Sequence, residues 1–139
     1  MKYYYLIQLL LFFSLSLISP LKSIGQIAIS SESVSQSNFQ KLDIEQQRIL
    51  VHKWMNGSQQ IEIPSSFQVS ALEFFKQQTN GEAIYQKYTS VFRPLFNTNL
   101  SLVDRINFCS FLLNTFGEDE IPMNLIRTQK ELLIKLSTK

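Results

Sequence analysis

The sequence predicts an all-α protein, a compact bundle of about five helices behind an N-terminal signal peptide. Three observations carry that prediction. The stretch 102–116 holds nine apolar residues in fifteen, dense enough for a helix buried on most of its circumference. Four further stretches show helical apolar spacing between start and stop residues, joined by short connectors. The first 25 residues are of another kind, an apolar run behind a basic start.

That opening segment carries Lys2 and the amino terminus, then an apolar run over 6–18. Pro20, Lys22, Ser23 and Gly25 follow, with Ser23 and Gly25 placed for cleavage before Gln26. A run of about 13 residues spans roughly 20 Å as a helix, short of the ~30 Å hydrocarbon core. An uncleaved anchor is the alternative, the only expected membrane contact. The organisation expected is a signal peptide over 1–25, a flexible linker over 26–38 and a single helical domain over 39–139.

Removing 1–25 takes Lys2 and Lys22 away, and 13 basic residues become 11, equal to the 11 acidic ones. A formally neutral chain gives no electrostatic support for nucleic-acid binding or for recruitment to anionic membranes. The single cysteine excludes an internal disulfide, so the core alone holds the fold. These features point to a periplasmic or secreted protein. Two glycosylation sequons begin at Asn56 and Asn99.

In chain order, the serine-rich 26–38 reads as a flexible lead. The first helix covers 39–55, with Asp43 and Gln46 able to cap it and Asn56-Gly57 ending it. Its apolar face is Ile44, Leu50, Val51, Trp54 and Met55, with His52 and Glu45 on the solvated side. Ile61, Glu62 and Ile63 alternate like a short edge strand that Pro64 stops. Ser65 with Gln68 caps a second helix, lined by Phe67, Ala71, Leu72, Phe74 and Phe75 and ended by Asn80-Gly81.

The third helix, 82–93, is the cleanest amphipath, with Ile84, Tyr85, Tyr88, Val91 and Phe92 on one face and Pro94 as its stop. Ser101 then caps the dense helix and Gly117 follows it. Cys109 lies mid-stripe as a small buried hydrophobe with an inert thiol. Phe111 projects from the polar arc, where it meets a neighbouring loop or anchors a partner. Arg105 sits beside Leu112 and Phe116, a snorkelling cation or an ion-pair partner. Glu118, Asp119 and Glu120 complement the dipole of a last helix starting at Pro122. In that helix Leu125, Ile126, Leu132, Leu133 and Leu136 face inward, and Glu131 pairs with Lys135 outside.

No catalytic constellation emerges. The lone Cys and lone His fall on different helices, and no Gly-x-Ser-x-Gly, phosphate-loop or zinc-binding pattern occurs. No cofactor and no metal site is expected. The function expected is non-catalytic binding of a protein partner in the periplasm or extracellular space, with Phe111, Ile49 and Arg105 as candidate contacts. The alternatives are a carrier of a small apolar ligand, suggested by the aromatic content, and a small hydrolase built on Glu118, Asp119 or Glu120.

Overall fold

The computed structural model describes residues 34–139; the segment read as a signal peptide and the linker as far as residue 33 lie outside the described residues. Among the described residues the chain is all-helical, with six α-helices rather than five. They are α1 (Gln36–Lys41), α2 (Ile44–Asn56), α3 (Ser65–Phe75), α4 (Gly81–Phe92), α5 (Leu102–Thr115) and α6 (Met123–Ser137). A 3-10 turn, Arg93–Phe96, continues α4 into the next connector.

The extra helix arises because the expected first helix is broken in two. Asp43 caps α2 reciprocally with Gln46, so the chain leaves helical geometry at Leu42 and Asp43 and restarts. α1 begins at Gln36, inside the stretch expected to be linker, with Ser35 accepting from the Asn38 amide. Gln47 ties the two helices by donating to the Phe39 and Leu42 carbonyls.

α5 is the most enclosed element. Ile106, Asn107, Phe108, Cys109, Ser110, Phe111 and Leu112 are all buried, so its middle has no solvent face. Its principal neighbour is α6; the 3-10 turn and α1 cover other sides. The Asn107 side chain donates to the Val34 carbonyl at 2.7 Å, which fixes the chain ahead of α1 against α5. An aromatic chain runs Phe39 to Trp54 to Phe108, and a second set joins Phe67, Phe75, Tyr85, Tyr88 and Phe92 across α3 and α4. The five residues expected inward on α4 are all buried.

Several expectations are corrected. Asn80-Gly81 does not end a helix but starts α4. Asn80 takes the left-handed conformation at φ 59°, and Gly81 lies so close to the end of α3 that a Cβ there would sit 1.9 Å from the Phe75 carbonyl oxygen. Gly57 caps α2 in right-handed geometry at φ −74°, so the two Asn-Gly pairs share no cap chemistry. Pro64, not Ser65, takes the cap position of α3, and Gln68 donates back to the Ile63 carbonyl. Ile61, Glu62 and Ile63 form no strand. Leu132 and Leu136 are half exposed, because α6 packs through the narrow stripe of Ile126 and Leu133. Glu131 and Lys135 form no ion pair; Arg127 instead lies 3.9 Å from Glu118.

Candidate binding cleft

The connector between α2 and α3, with the facing sides of α3 and α4 and Arg93, lines a polar concavity. The chain leaves α2 through a turn that is pinned from two sides. Asn97, just after the 3-10 turn, donates to the Gly57 carbonyl and to the Ser58 hydroxyl, while Ser58 donates to the Trp54 carbonyl. Arg93 donates from Nη1 to the Gln59 carbonyl at 2.8 Å. Beyond that anchor the chain runs through Ile61, Glu62 and Ile63, and Pro64 keeps Ile63 out of helical geometry. Burial of Ile63 and the bond from Gln68 to its carbonyl fix the far end.

Between these anchors the Ile61 amide donates to the Ser58 carbonyl, and the next backbone groups are unpaired. No hydrogen bond among the described residues occupies the Glu62 and Ile63 amides or the Ile61 and Glu62 carbonyls. This short edge is held in place but has no neighbour, an arrangement that invites another chain. It forms one wall of a cleft of about 540 Å³ whose other lining includes Gln68, Tyr85, Gln86, Thr89 and Arg93.

Tyr85 is the unusual member. Its ring packs near Phe75 and Phe92, at centroid distances of 6.1 and 6.4 Å, and the residue is 3% exposed. Its buried hydroxyl has no hydrogen-bond partner. Burial raises the phenol above its usual value, opposed by the nearby Arg93 guanidinium, so it remains an O–H donor at neutral pH. Arg93 is half-buried and has no carboxylate partner among the described residues. Glu62 is the cleft's acid.

The residues singled out from sequence do not converge here. Phe111 is 1% exposed, so it packs in the core and does not project from a polar arc. It shares its side of α5 with Asn107, and that side is closed by Val34 and α1 rather than open to water. His52 is likewise buried at 4%, because the second half of α2 is enclosed around most of its circumference. Burial and the nearby Arg48 lower its imidazole to about 4. Ile49 and Arg105 are half-buried, on α2 and α5. Arg105 leaves its Nε without a hydrogen-bond partner. Cys109 is fully buried, and its thiol is pushed up to about 12.

Glu118, Asp119 and Glu120 close a tight turn, with Glu120 accepting from the Gly117 amide at 2.9 Å and the Asp119 carbonyl accepting from Gln78. No group of three His, Cys, Asp or Glu is placed to hold a metal ion among the described residues. No helix among them is long and apolar enough to cross a membrane. Sequence reading places Tyr85 in the core, as the structure does, and gives Arg93 no role; that both line this cleft was not read from the sequence. The signal within reach was the alternation of Ile61, Glu62 and Ile63 before Pro64, which marked a backbone run suited to pairing. Comparison with protein-family models, curated proteins and solved structures finds no match for this chain.

Proposed function

We propose that the chain is an exported, non-catalytic binding protein that captures a polypeptide partner in the periplasm or outside the cell. The export half rests on the basic, apolar and small-residue pattern of 1–25. The observation that carries the binding half is the pinned connector through Ile61, Glu62 and Ile63 along a polar cleft, with the Glu62 and Ile63 amides and the Ile61 and Glu62 carbonyls unpaired among the described residues. An extended peptide adds to such an edge through main-chain hydrogen bonds, and the side chains around it select sequence. Gln68, Gln86 and Thr89 provide amide and hydroxyl groups within the same cleft. The proposed contact surface is therefore this cleft rather than Phe111.

A random linear-peptide display library panned against the purified protein tests this. Glu62→Pro deletes one free amide of the edge, while Glu62→Ala keeps it. Selected peptides should bind Glu62→Ala at least as tightly as the parent, since only a negative charge is removed, and bind Glu62→Pro about tenfold more weakly, the order of one lost hydrogen bond. Peptides that bind Glu62→Pro as tightly as the parent would place recognition elsewhere.

A further inference from the structure

We infer that the cleft recognises a carboxylate of its polypeptide ligand, held between the Arg93 guanidinium and the Tyr85 hydroxyl. This rests on the polypeptide reading above and adds the chemical group that is read. Two donors in the cleft are uncommitted. The Tyr85 hydroxyl bonds to nothing, and Arg93 spends one N–H on the Gln59 carbonyl and meets no acid. Leaving a phenol buried without an acceptor costs stability in the empty protein, a cost removed when a ligand supplies the acceptor.

A guanidinium fork beside a phenol matches a planar, two-oxygen acceptor. Arg93 and Glu62 cancel in formal charge within the cleft, which suits one carboxylate better than a multiply charged phosphate. Gln86, exposed on the same wall, and Tyr85 both line this cleft. The remainder of the peptide then lies along Glu62 and Ile63. The carboxylate comes either from a chain terminus or from an acidic side chain.

Amide shifts of the full chain, titrated with three probes, separate these outcomes. The probes are N-acetyl-tetraalanine with a free carboxylate, the same peptide as its C-terminal amide, and N-acetyl-Ala-Glu-Ala-Ala amide. At least one acid-bearing probe should shift the Glu62, Ile63 and Thr89 amides and bind about tenfold more tightly than the uncharged amide, the order of one charge-assisted hydrogen bond. The stronger of the two acids identifies terminus or side chain. Tyr85→Phe should weaken that preference, leaving the share due to Arg93, while still binding the uncharged amide through the edge. Equal binding of all three probes at the cleft would overturn the carboxylate and leave the polypeptide reading standing. Absence of any shift at Glu62 and Ile63 would overturn both.

Discussion

The Tyr85 hydroxyl is a buried donor without an acceptor, and such a group destabilises the protein that contains it. Tyr85→Phe should therefore raise stability by about 1 kcal/mol in urea denaturation, at the expense of ligand preference. A residue conserving the ring but not the oxygen separates packing from recognition, because the ring contacts with Phe75 and Phe92 persist. His52 behaves in the opposite sense on acidification. Its imidazole is held at about 4 in the fold against an ordinary 6.5, so between those values the unfolded chain binds the extra proton. Its contribution is intact above 6.5 and is lost progressively as pH falls to about 4. That loss amounts to about 3 kcal/mol at most. His52→Leu should flatten the difference in stability between pH 7 and pH 4.5 relative to the parent; an unchanged slope would assign it to carboxylates. Both residues were visible in sequence, but their energetics were not. His52 sits on a polar arc by spacing, and only the enclosure of α2 makes it a buried base.

At the scale of elements, the stretches with a single strong stripe were legible. α4 was placed with all five inward residues because one face does all its packing. α5 misled because a helical wheel describes one helix and not what covers it. Asn107 and Phe111 look solvated until a segment 73 residues earlier closes over them through Val34. Phe111→Ala should accordingly cost about 3–5 kcal/mol, read by thermal or chemical denaturation, as for a large core aromatic. A change below 1 kcal/mol would return Phe111 to the surface. α6 misled in the other direction, since leucines on two adjoining stripes exceed the single stripe that α5 accepts, and Leu132 and Leu136 remain half exposed. The junction of α3 and α4 depends on the absence of a side chain at Gly81. Gly81→Ala should destabilise by about 3 kcal/mol or more, because the added methyl meets backbone and not a movable side chain. The sequence marked Asn80-Gly81 correctly as a boundary, but the close approach that requires the glycine is a tertiary fact.

For the molecule as a whole, one core joins all six helices, with Cys109 at zero exposure inside it. Its elevated thiol should make modification at pH 8 follow opening of the domain, so labelling should be slow in buffer and fast in denaturant. Rapid labelling in buffer would show that α5 is not enclosed. The helical class followed from periodicity, whereas the cleft did not, because it is assembled from a connector, two helices and a 3-10 turn brought together only by folding. Arg93 reaches Gln59 across 34 residues, and no spacing rule relates them. What the sequence did contain was a backbone run without helical or paired character, and that run is the centre of the functional account. The most direct measurement is amide hydrogen exchange at Glu62 and Ile63, with and without a bound peptide. Exchange near the rate of an open chain is expected in the free protein, with at least tenfold slowing once peptide is bound. Amides already protected in the free protein, or unchanged when peptide binds, would contradict it.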